Sequence, residues 1–150
     1  LAEPAPGPRR AVVLDLGVRH EGASVVEALA ERGDVVRWLA PTPTVGFEID
    51  PVTLTTLLPR LAALGVRRLA ETTVVDATGG GVVLLNVFER TTQRIDDLDV
   101  LVVVGNKAAD AGLADSLRRE GLVVHAVGDC VAPRHVAIAI YEGELAGRAL

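Results

Sequence analysis

The apolar positions of the chain fall into short runs divided by glycine, proline and charged residues. Residues 11–15 (AVVLD) are too few for a helix and read as a buried strand. Residues 22–32 (GASVVEALAER) change to a helical period, with Val25, Val26, Leu29 and Ala30 on one face and Gly33 as the stop. Residues 34–40 (DVVRWLA) return to a strand pattern that Pro41 and Pro43 end. Strand, helix and strand at these lengths predict a β-α-β unit, and therefore parallel strands.

Asp50 and Pro51 open the next helix as N-cap and first-turn proline. It is expected to run to Leu64, to stop at Gly65, and to be kinked or split by Pro59. Residues 67–77 and 81–88 are β-rich and flank Thr78, Gly79 and Gly80, a hairpin signal, and residues 91–95 add a third short strand. Residues 99–104 (DVLVVV) read as a buried strand returning to the parallel sheet. A helix over 110–120, a strand over 122–127 (LVVHAV), a turn at Gly128–Asp129 and a last helix over 134–150 complete the pattern. The predicted class is α/β: a Rossmann-like three-layer module with a parallel sheet and an inserted antiparallel β-meander. Residues 1–10 (LAEPAPGPRR) read as a linker, because Pro4, Pro6 and Pro8 remove backbone donors.

Composition sharpens this picture. Hydrophobic residues make up 49% of the 150 positions and aromatics 3%, so the core is aliphatic, as suits a parallel sheet under Ala/Leu helices. The net charge of −5 argues against a nucleic-acid sleeve or an anionic-membrane binder. No apolar run approaches the ~20 residues of a membrane span. The single cysteine excludes an internal disulfide framework and suits a reducing compartment, so a cytoplasmic location is expected. Methionine is absent, which reads as a processed or truncated chain with something ahead of Leu1.

Three places could carry chemistry. The turn after the first strand holds Gly17 and Gly22 at the outer positions of a G-x-G-x-x-G, where glycines let a backbone approach a pyrophosphate. Arg19 stands at the middle position and Glu21 adds negative charge, so the alternative is a turn that needs glycine for geometry alone. The second strand ends in Ala40, Pro41 and Thr42, without the acidic residue that would bind a ribose; Thr42 could accept one hydrogen bond. NAD(P)H binding is therefore expected to be weak. The third place is Gly128-Asp129-Cys130. Asp129 either caps the following helix or accepts hydrogen bonds from a ribityl or ribose hydroxyl, with the following amides facing a phosphate. Cys130, with His125 and His135 five positions to either side, matches no usual zinc spacing, so neither a metal site nor a catalytic thiol is expected. No residue reads as catalytic.

The closing segment GDCVAPRHVAIAIYEGELAGRAL resembles the end of the multidomain flavoproteins related to old yellow enzyme: the trimethylamine and histamine dehydrogenases and the bacterial 2,4-dienoyl-CoA reductases. The resemblance extends back to Ala11 through the segments AVVLD, ALAERGDVVRWLAPTP, LPRLAALGV and DVLVVVG. It implies that residues 11–104 are an NAD(P)-type domain inserted into an FAD-type domain, to which residues 105–150 return. It further implies that Gly128 and Asp129 face an FAD or ADP moiety, with the flavin chemistry carried elsewhere. The family's FAD-type glycine loop, its flavin barrel with FMN and its 4Fe–4S cysteines would lie upstream; Cys130 alone cannot hold a cluster. Where many relatives have Gly-Arg after the return strand, this chain has Gly105-Asn106-Lys107. The resemblance thus implies the C-terminal dinucleotide-binding module of a flavin-dependent oxidoreductase. A vestigial or non-enzymatic nucleotide-binding scaffold and a self-sufficient NAD(P)H-binding domain are the alternatives.

Overall fold

The computed structural model describes residues 7–150, so most of the expected linker, residues 1–6, lies outside the described residues. The chain divides into two compact units, one ending at Gly105 and one spanning Asn106–Leu150.

In the larger unit, β1 (Arg10–Asp15), β2 (Val35–Leu39), β3 (Arg67–Leu69) and β7 (Val100–Val104) form a parallel sheet in the order β3-β2-β1-β7. A second, antiparallel sheet contains β4 (Thr72–Thr78), β5 (Gly81–Asn86) and β6 (Thr92–Ile95). Helices α1 (His20–Glu31) and α2 (Pro51–Ala63) cover one face of the parallel sheet, where Ala11, Val13, Val36 and Trp38 meet Val26, Ala30, Leu57 and Leu61. The alternate strand residues Val12, Leu14 and Leu39 point to the other face and pack on Val82 and Leu84 of β5. The fold is therefore α/β and Rossmann-like, in three layers. Trp38 is the only Trp of the chain and the largest fully buried side chain.

The expected β-rich run over 67–77 is in fact two strands in two sheets. Glu71 takes a left-handed φ of 55°, and the chain crosses there from the parallel sheet to the antiparallel one. The hairpin turn is Gly79-Gly80, both at positive φ, as a two-residue turn matched to strand twist requires. Helix α2 runs through Pro59 without a break. Pro59 and Thr55, whose carbonyl the proline leaves without its helical donor, both face solvent, so water can serve that carbonyl. Asp50 caps this helix as expected, its Oδ1 accepting from the Thr53 N–H at 2.8 Å.

The smaller unit holds α3 (Gly112–Arg119), a single 3₁₀ turn at Gly128–Cys130, and α4 (Val136–Ala149). The strand expected over 122–127 does not form. A strand needs a ladder neighbour, and among the described residues this apolar segment has none; Val123 is 87% exposed. No helix among the described residues is long and apolar enough to cross a membrane.

Candidate functional site

The first candidate lies at the carboxyl end of β1, in the larger unit. The helix that follows begins at His20, two residues before the expected start, so Gly22 lies in its first turn. Gly17 and Gly22 both border the side chain of Asp15, which sequence reading passed over. Asp15 is 0% exposed. Its Oδ1 accepts from the Val18 N–H at 2.8 Å and its Oδ2 from the Trp38 indole N–H at 3.2 Å. A Cβ on Gly22 would stand 2.2 Å from the Asp15 carboxyl carbon, whereas one on Gly17 would stand an ordinary 3.8 Å from Oδ1. Gly22 is thus glycine to make room for this carboxylate. Burial pushes the Asp15 carboxyl above the usual carboxylate range, while the hydrogen bonds from Val18, Trp38 and the Gly17 N–H pull it down.

The turn itself is drawn inward. Val18 is buried at a left-handed φ of 49°, which a β-branched residue rarely adopts. Its carbonyl accepts from the Glu48 N–H at 3.0 Å, and Arg19 pairs with Glu48 at 2.6 Å. At the end of β2, the Thr42 hydroxyl donates to the Thr44 carbonyl at 2.7 Å and so spends its proton within its own loop.

The second candidate is the 3₁₀ turn of the smaller unit. Gly128 is at φ +73°, and a Cβ there would press on the Ala139 Cβ at 3.2 Å, so both the turn and the seat on α4 require glycine. Its N–H donates to Glu142 Oε2 at 2.8 Å, and Arg134 pairs with the other oxygen of that carboxylate. Asp129 is exposed, with Oδ1 accepting from the Arg134 N–H at a long 3.3 Å. That bond ends one residue before the α4 N-cap, His135, so it spans the Asp129–Arg134 loop and leaves α4 without a side-chain cap. The Cys130 thiol points back to the Val127 carbonyl at 3.1 Å. Among the described residues, no group of three or more His, Cys, Asp and Glu side chains is placed to hold a metal ion.

Glu142 was not singled out by the sequence reading, since nothing in a helical glutamate announces a contact fourteen residues back. The Gly128 N–H, with Arg134 beside it, holds its carboxyl below the usual range. A depressed folded-state value means that the stabilisation is complete above the unfolded value and is lost as pH falls through the folded one. The thermal midpoint of the wild type should therefore exceed that of Glu142→Gln by a constant margin above about pH 5, and the margin should shrink on acidification. Melts followed by circular dichroism between neutral and acid pH check this; a margin independent of pH would refute it.

No protein-family model matches the sequence, and no curated protein does. Solved structures do. Over 95% of this chain, histamine dehydrogenase from Rhizobium sp. 4-9 superposes with a TM-score of 0.84 at 24% identity. The 6-hydroxypseudooxynicotine amine oxidase HisD from Pseudomonas geniculata N1 does so over 93%, with a TM-score of 0.81 at 19% identity. A 2-naphthoyl-CoA reductase matches 91% of the chain with a TM-score of 0.75 at 22% identity. At these identities the likeness establishes a shared fold. The chain spans only 23%, 22% and 20% of those three proteins.

Proposed function

We propose that the chain is the C-terminal dinucleotide-binding module of a flavin-dependent oxidoreductase of the amine dehydrogenase or dienoyl-CoA reductase type. The observation that carries this reading is the layered α/β unit followed by a glycine-aspartate turn on a long helix, matched over 95% of its length within a much larger oxidoreductase. Residues 11–104 are assigned to an NAD(P)-type domain and residues 105–150 to the returning segment of an FAD-type domain. The partners are the upstream FAD-type domain and a flavin barrel. The unladdered apolar segment 122–127 supports this, since a neighbouring strand of that domain would complete it.

Asp129 is the residue assigned to the cofactor, an FAD or its ADP moiety. Its exposed carboxylate fits acceptance from ribityl or ribose hydroxyls. Gly128 shapes the turn, but its N–H already serves Glu142 and is not free for a phosphate. Cys130 contributes its backbone alone, as its thiol is turned away. Bound flavin supplies the redox chemistry; this chain positions it. FMN and a 4Fe–4S cluster belong to the proposed upstream region.

The test is Asp129→Ala in the intact protein, reading nucleotide released on denaturation alongside the thermal midpoint. Retention of FAD or ADP should weaken about tenfold, equivalent to about 1.4 kcal/mol. Unchanged nucleotide content with a lowered midpoint would leave Asp129 a structural loop residue, whereas a wild type that releases no nucleotide would favour a cofactor-free scaffold.

A further inference from the structure

Ligands of open parallel sheets bind outside the carboxyl ends of the strands, where the strand order reverses. In the order β3-β2-β1-β7 that point is the carboxyl end of β1, and Asp15 is its last residue. We propose that Asp15 is a built-in anion: its carboxylate, with the inward-drawn Val18 and the 41–49 loop, fills the space where a dinucleotide would seat pyrophosphate and ribose. The proposal rests on assigning residues 11–104 to an NAD(P)-type domain and concerns that domain's own turn, not Asp129.

Four observations converge. The carboxylate lies where a side chain at Gly22 would project, under the first turn of α1. Helix α1 has no side-chain cap at Arg19, and the turn amide of Val18 donates instead to Asp15. Val18, Val45 and Ile49 are buried in one apolar cluster, so the turn and the 41–49 loop belong to the same packed core. Over them, the Val18 carbonyl to Glu48 N–H bond and the Arg19–Glu48 pair tie the turn to the loop. An arriving phosphate would meet a fixed negative charge whose hydrogen-bond donors are already engaged, and two anions in one desolvated seat repel. The unit thus carries the anion of its first turn covalently and needs no nucleotide to complete it.

Because the chain has one tryptophan, the Trp38 indole N–H is a unique signal that touches Asp15. Pyrophosphate, ADP and NADH should be titrated into isotope-labelled protein while the Trp38 indole and Val18 amide resonances are followed. Neither should show a saturable shift up to about 10 mM, well past the millimolar range of weak binding. Saturation of both below about 1 mM would overturn the proposal. Asp15→Ser removes the charge but keeps an oxygen near the Val18 N–H; it should bind pyrophosphate at least tenfold more tightly than wild type, and a folded variant without that gain also overturns it. Should the variant not fold, wild type decides: the Asp15 carboxyl carbon and the Trp38 indole must titrate with one shared midpoint, and separate midpoints refute the contact. FAD retention reports on Asp129 alone, so failure here is distinguishable from failure of the proposed function.

Discussion

Replacing Trp38 with alanine should destabilise the larger unit by about 4 kcal/mol or more, the top of the range for truncating a buried aromatic. The indole is 0% exposed and lies between the β2 strand and α2. It also holds one oxygen of Asp15, so the substitution opens a cavity and strips a partner from a buried carboxylate at once. Against a typical total of about 5–15 kcal/mol, this loss approaches global unfolding. Urea denaturation followed by circular dichroism measures it. A loss below about 1 kcal/mol would mean that the core does not depend on this side chain. Trp38→Phe keeps most of the volume but not the donor, and should fall between the two.

The second large effect separates two glycines that look equivalent in a motif. Gly22→Ala should cost about 3 kcal/mol, because its Cβ would fall 2.2 Å from a carboxyl carbon that is buried and hydrogen-bonded on two sides. Gly17→Ala should stay within about 0.5 kcal/mol, since its new Cβ meets only Asp15 Oδ1 at 3.8 Å and its φ is not positive. Adding Asp15→Ser to Gly22→Ala should recover part of the loss, because the atoms in collision are removed. Equal costs at the two glycines would contradict the account of Asp15.

The layered α/β architecture was legible because the hydrophobic period changes cleanly between 11–15, the helix and 34–40, and because Gly79-Gly80 marks its hairpin. The break at Glu71 was not, since a left-handed glutamate carries no signal in an otherwise strand-favouring run. The segment 122–127 has the composition of a strand, but a strand exists only with its neighbour, which local pattern cannot supply. At the sites, Gly17, Gly22 and Gly128 were visible as glycines, yet the reasons for two of them lay elsewhere in the chain. Asp15 stood out only as the last residue of the first strand; its buried hydrogen bond comes from Trp38, 23 positions on. Glu142 reaches Gly128 across 14 positions. Such pairings are tertiary, and no spacing rule encodes them.

The placement of β7 beside β1 shapes how the larger unit assembles. Helix α1 and β2 join β1 through short connections, and the meander strands β4, β5 and β6 each meet a neighbour adjacent in sequence. The β1–β7 ladder instead pairs Ala11 with Val100, and the Arg10–Asp99 contact beside it spans 89 positions. That pairing closes the longest loop of the larger unit, and it rewards the chain only after β7 has been brought back to β1. During synthesis the central strand must wait, one edge open, until the last strand of its sheet emerges. The meander strands pair only with their sequence neighbours, so once formed they shorten the loop left to close between β1 and β7, and the hairpin bears on closure as well as forming a layer of the finished fold.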